Sequence, residues 1–258
     1  MSGFDGIAPP LREPLAGYLL AVADDEFVLG FSDSEWTGIA PMLEEDVAMS
    51  SLAQDELGHA AALYALLGES TDRDPDAIAY DRPAEDFRHA RLLDHPRGDW
   101  AATIARRWLY DTADGVRVEA LVGSSWQPLA DLAALIAREE RYHRLHVGTW
   151  IERLAADDGE ARRRLDTAWA RLGPDAATVL APLPGEEALV AAGVVPVASA
   201  ELERRWRTAI TPTLSRCRLA APPPARDPES ARQIHSAEFG DLHAEFTSVR
   251  RLDPAAAW

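Results

Sequence analysis

The stretch PMLEEDVAMSSLAQDELGHAAALYALLG, residues 41–68, decides how the chain is read. It opens on Pro41 and closes on Gly68, residue types that suit the first position of a helix and its left-handed cap. It predicts one helix about 40 Å long at 1.5 Å rise per residue, the length of a bundle stave. Near its centre Glu56 and His59 stand three residues apart and share a helix face. Such a pair can hold a metal ion, and buried without a partner it would be costly.

Working outward, Leu15, Leu19, Val22, Glu26 and Leu29 recur at spacings of three and four from Pro14 onward. That is a helical stripe with Glu26 on its apolar face. Residues 37–41, TGIAP, turn it into the 41–68 helix, and residues 1–13 read as a loose arm. Residues 69–98 carry three prolines and read as a long crossover with one short helix. Asp99 is placed to cap a third long helix running to about Gly123. The turn GSSWQP then leads into a fourth, to about Ala155. Beyond it come a helix at 160–172, an irregular stretch at 182–196, a helix at 198–214, a stiff APPPARD loop and a last helix at 228–252.

No stretch reads as a strand or a glycine-rich phosphate loop. The expected fold is all-α: a ferritin-like four-helix bundle with one long crossover and additional C-terminal helices. It is expected as a single domain over 1–258, with its core at about 14–155 and its C-terminal helices at about 159–252.

A net charge of −17 disfavours nucleic acid and anionic membranes as partners, because such a surface repels phosphates. All 26 basic residues are arginine. Arg106, Arg107 and the run Arg204-Arg205-Trp206-Arg207 are candidates for holding phosphate groups, against the plainer reading of solvated helix faces. The single cysteine, Cys217, excludes an internal disulfide. The first ten residues have neither a charged leader nor an apolar run, and nothing reaches the roughly 20 apolar residues of a membrane helix. A cytoplasmic protein is expected.

The fourth long helix contains Glu140 and His143, a second Glu-x-x-His. In an antiparallel helical hairpin, residues equidistant from the turn lie at one height. Glu26 and Glu56 are equidistant from residue 41, in the first turn. Asp111 and Glu140 are equidistant from the 125–126 bond, in the second. Each hairpin therefore sets one carboxylate level with one Glu-x-x-His. Glu26, Glu56, His59, Asp111, Glu140 and His143 become the candidate ligands of a two-metal carboxylate site. Carboxylates and imidazoles without cysteine point to two iron ions, or manganese, rather than structural zinc. A rotation of a single-ligand helix would exchange Glu26 for Asp24 or Asp25, or Asp111 for Asp114. Asp24 and Asp25 are read as a solvated face, and Asp114 as that alternative or as an acceptor orienting an imidazole. His146 is read as an ordinary histidine one turn above the site. His89, His95, His235 and His243 are left as surface or core histidines, and Trp108, Tyr110, Trp126, Tyr142 and Trp150 as core.

The segments EFVLGFSDSEWTGIAPMLEEDVAMSSLAQDELGHA, DWAATIARRWLYD, REERYHRLHVGTWIERL and LHAEFTSVRRLDPAAAW resemble the bacterial phenylacetyl-CoA epoxidase PaaA/PaaC proteins over about residues 15–258. Length and flanks look like the structural PaaC-type subunit, while the six ligand positions look like the catalytic one. The resemblance implies a di-iron oxygenase that epoxidises the ring of an aromatic acyl-CoA such as phenylacetyl-CoA. It also implies NADPH electrons through a separate reductase, and a homo- or hetero-oligomer with a sister ferritin-like subunit. A non-catalytic assembly subunit of such an oxygenase is the alternative. A ferritin-like protein that stores metal or consumes peroxide is a third reading.

Overall fold

The computed structural model describes residues 4–253. Residues 1–3 of the expected arm and the closing PAAAW of the C-terminal resemblance lie outside them. Among the described residues the fold is all-α, with no strand. Four long helices form a ferritin-like bundle: α1 (Pro9–Ser34), α2 (Leu43–Thr71), α5 (Trp100–Leu121) and α6 (Gln127–Ala156). The crossover holds two short helices, α3 (Pro75–Tyr80) and α4 (Arg91–Asp94), where one was expected. Behind the bundle follow α7 (Glu160–Leu172), α8 (Glu186–Ala191), α9 (Ser199–Cys217), α10 (Ala237–Phe246) and α11 (Ser248–Leu252).

The pairing follows the turns: α1 lies along α2 and α5 along α6. One glycine lets α1 approach α2 closely, and a second makes room for an arginine side chain between α5 and α6. A Cβ on Gly30 would come within 2.9 Å of the Glu56 Cβ and 3.0 Å of the Ala53 carbonyl. A Cβ on Gly115 would come within 2.8 Å of the Arg144 guanidinium. Gly30 lies one turn past Glu26 and Gly115 one turn past Asp111, so each close approach adjoins a candidate ligand.

Asp99 caps α5 as expected, its carboxylate accepting from the Ala102 amide at 2.9 Å. Other boundaries differ. The first helix begins at Pro9, because Pro9 and Pro10 occupy positions whose amides need no helical acceptor. Pro41 belongs to the turn, and α2 starts at Leu43 with Glu44, Glu45 and Asp46 in its first turn, where carboxylates favour the helix dipole. Gly68 lies inside α2, and the left-handed cap is Asp72 (φ 55°). The expected 228–252 helix is interrupted. Ser236 caps α10, accepting from the Phe239 amide, while its own amide donates to Asp94 at 2.9 Å.

Asp24 and Asp25 are fully buried, contrary to the solvated face expected of them. The crossover and the C-terminal segment cover the side of α1 that a four-stave bundle would leave wet. Asp24 accepts from Tyr64 Oη at 2.6 Å, Arg82 Nη1 at 3.0 Å and the Arg88 amide at 2.7 Å. Asp25 accepts from Arg117 and Arg232, each at 2.9 Å, and from the Ala90 amide at 2.7 Å. Asp114 pairs with Arg117, not with an imidazole. Tyr142, expected in the core, is 73% exposed, while Trp108, Tyr110, Trp126 and Trp150 are buried. The Arg204, Arg205 and Arg207 guanidinium groups pair with Glu201 and Glu203 on their own helix, around a buried Trp206.

The remaining histidines have specific partners. His146 lies 3.1 Å from Glu45, His95 2.9 Å from Asp175, and His243 2.9 Å from the Arg82 carbonyl. His89 and His235 both contact Asp94.

Candidate metal centre

The six predicted residues are buried and lie on the four long helices, facing the bundle interior. Glu26, Glu56, His59 and Glu140 converge, with one ligating atom from each lying within 4.8 Å of the others. His59 Nδ1 is 3.3 Å from Glu26 and 3.6 Å from Glu56. His143 Nδ1 is 2.8 Å from Glu140 and 3.3 Å from Glu56. Glu56 thus stands between the two imidazoles. Asp111, fully buried on α5, is 3.4 Å from the guanidinium of Arg107. Tyr110 donates to Glu26 at 2.8 Å.

Each imidazole turns Nδ1 to the cluster and Nε2 to a partly exposed carboxylate from the other hairpin. His59 Nε2 meets Glu139 at 2.8 Å, and His143 Nε2 meets Asp55 at 3.2 Å. These carboxylates immediately precede Glu140 and Glu56, so Asp55-Glu56 with His59 mirrors Glu139-Glu140 with His143. Neither is among the residues expected from sequence, although an acidic residue before each Glu-x-x-His was visible. They hold each ring's tautomer and orientation. Asp55→Asn and Glu139→Gln are each expected to weaken metal binding by about 10–100-fold with little change in thermal stability. Metal titration beside thermal melts checks this; unchanged affinity in both variants would count against the role.

Arg107 was expected on a solvated face or against phosphate groups. It is instead fully buried inside the site, as Arg106 is beside it. Arg107 Nη2 donates to Glu56 at 2.5 Å and Nη1 to Asp33 at 3.1 Å. Arg106 holds the other oxygen of Asp33 at 2.7 Å.

Without metal the cluster carries protons. Burial, then the charges of Glu56 and Asp114, raise Glu26 well above the usual carboxylate range. Burial with neighbouring carboxylates raises Asp111, against the pull of Arg107, and also raises Glu140. Burial opposes the charge on Glu56, but Arg107 and the surrounding hydrogen bonds hold Glu56 well below its ordinary value. Burial would lower both histidines; their hydrogen bonds to Glu26, Glu56 and Glu140 prevail, raising His59 to about 12 and His143 to about 11.

Two deeply buried oxygens, Glu56 Oε2 and Glu140 Oε2, accept no hydrogen bond, and Asp111 Oδ1 has only the Arg107 guanidinium at 3.4 Å. Orphaned acceptors at this depth are expensive unless a cation meets them. The donor set, hard carboxylates with imidazole, suits iron or manganese.

These protons give stability a definite dependence on pH. Folded histidine pKa values above the unfolded value of about 6.5 give stability that is full below pH 6.5 and declines as pH rises towards 11–12. Metal binding displaces those protons and therefore strengthens with pH. Chelator-treated protein is expected to melt at lower temperature at pH 9 than at pH 7, while the increment from added metal grows. Thermal melts at both pH values, with and without Mn(II), check this; a shrinking increment would contradict it.

A buried carboxylate–histidine centre on two antiparallel hairpins makes this an all-α protein of the ferritin-like class. The chain belongs to the phenylacetic acid catabolic protein family, whose pattern it matches over residues 5–258. It is 27% identical over 246 residues to the C-type subunit of 1,2-phenylacetyl-CoA epoxidase from Escherichia coli (strain K12), covering 95% of this chain and 99% of that relative. It is 26% identical over 139 residues to the A-type subunit of the same enzyme and organism, covering 54% of this chain and 45% of that relative. Among the described residues, no helix is long and apolar enough to cross a membrane.

Proposed function

We propose that this chain is the metal-holding subunit of an O2-dependent oxygenase acting on an aromatic acyl-CoA, phenylacetyl-CoA being the first candidate. The reading is supported by the convergence of Glu26, Glu56, His59 and Glu140, with His143 against Glu56 and Glu140 and with buried carboxylate oxygens that accept no hydrogen bond. Glu26 and His59 would hold one ion and Asp111 and His143 the other, with Glu56 and Glu140 shared. When bound, two ferrous ions would supply electrons and oxygen-binding positions for O2 reduction. The chain's own part is to fix the ligands, to orient the imidazoles through Glu139 and Asp55, and to keep water out of the bundle. Ring epoxidation takes one oxygen atom of O2 into the substrate and releases the other as water. The two electrons would come from NADPH through a separate reductase, and a sister ferritin-like subunit would complete a hetero-oligomer.

A second reading, a non-catalytic assembly role, is favoured by the end-to-end match to the C-type subunit. In that case the six residues would form a polar network fixing helix register. Metal analysis of protein made in iron-replete cells separates the two. Bound iron, and epoxide formation from phenylacetyl-CoA with reductase and sister subunit present, are expected. Metal-free protein with all six residues intact would overturn the proposal.

A further inference from the structure

Arg107 lies on α5 one turn before Asp111, and its guanidinium projects among the candidate ligands. It is 0% exposed. Its Nη2 meets Glu56 Oε1, the same oxygen that lies 3.3 Å from His143 Nδ1. That Nη2 is also 3.4 Å from Asp111. The two halves of the site are therefore unequal. Around His59, ligating atoms of Glu26, Glu56 and Glu140 converge, and His59 faces Glu56 Oε2 while Arg107 takes Oε1. Towards Asp111 and His143, a permanent positive charge already spans the carboxylates that a second ion would share. Arg107 cannot lose its proton to make room, so a divalent ion there must displace it bodily. A destination exists: Nη1 is already bonded to Asp33 at 3.1 Å.

We propose that Arg107 is a resident cation closing the second metal position. The chain then fills the Glu26–Glu56–His59–Glu140 half first and admits an ion beside Asp111 and His143 only when Arg107 withdraws towards Asp33. The proposal rests on the metal-binding reading above. It makes the chain's capacity for paired-metal chemistry depend on a side chain outside the ligand set.

The test is an anaerobic Mn(II) titration of the full chain after chelator treatment, read by bound-metal analysis and by electron paramagnetic resonance. Wild-type protein is expected to bind one ion tightly, with the six-line spectrum of isolated Mn(II), and a second at least about tenfold more weakly. In Arg107→Gln the second ion should tighten by about tenfold or more, with the six-line signal giving way to a spin-coupled pair. Two ions of equal affinity in wild type, or an unchanged second site in Arg107→Gln, would overturn the proposal while leaving the metal centre standing. No ion bound by wild type or variant would sink the metal reading and this proposal with it. If Arg107→Gln does not fold, the wild-type isotherm and spectrum decide: an equal, coupled pair refutes closure and stepwise filling supports it.

Discussion

Glu56→Ala is expected to empty the metal centre while leaving the bundle folded. Glu56 lies between the two imidazoles, 3.6 Å from His59 and 3.3 Å from His143, and it also receives Arg107. Its removal takes a ligand from both halves of the site at once. Loss of an outer carboxylate costs about 10–100-fold in metal affinity, so loss of a shared ligand should exceed about 100-fold. The fold should survive because Arg107 keeps Asp33 and Asp111 as partners. Metal analysis, thermal melts and epoxidation assays on the same preparation provide the measurement. If the six residues only fix helix register, the outcome inverts: the melting temperature drops, and there is no metal or activity to lose.

Asp25→Ala is expected to be the most damaging single change to stability. Asp25 is completely buried and receives Arg117, Arg232 and the Ala90 amide, tying α1 to α5, to the crossover and to the C-terminal segment. Burial works against its charge, yet Arg232 and Arg117 hold its carboxyl below the ordinary range. Truncation leaves the buried Arg232 guanidinium without its carboxylate and Arg117 with that of Asp114 alone. Breaking a buried pair in this way costs about 3–5 kcal/mol. For a chain of this size that corresponds to roughly 10 °C in melting temperature. Asp25→Asn, which retains acceptor oxygen and shape, should lose less. Thermal and denaturant unfolding of both variants give the answer; an Asp25→Ala protein within about 1 kcal/mol of wild type would show that these arginines find other partners.

The two outermost carboxylates, Asp55 and Glu139, show where reading along the chain reaches its limit. Both were visible beside their Glu-x-x-His motifs. Their role lies across the bundle, however, because each orients the imidazole of the opposite hairpin. Spacing within a hairpin does not report which hairpin a neighbour will face. Asp24 and Asp25 fail for a related reason. Helical periodicity places them beside Glu26 on the flank of a stave, and only the docking of the crossover and of Arg232 buries that flank.

The levels of the six candidate ligands were read from spacing along the chain. Helical rise and the symmetry of two tight turns placed Glu26 with Glu56 and Asp111 with Glu140, and the three-residue step brought in His59 and His143. These are local consequences of helix geometry, so they hold before any packing is known. Packing decided what shares the interior with them. Arg107 reads in the sequence like any other arginine on a helix, among 26 of them. It becomes a buried cation inside the site only because α1 brings Asp33, and α2 brings Glu56, against that face of α5. Burial is a property of the assembled bundle, and it turns a charge that would otherwise be solvated into part of the candidate metal centre.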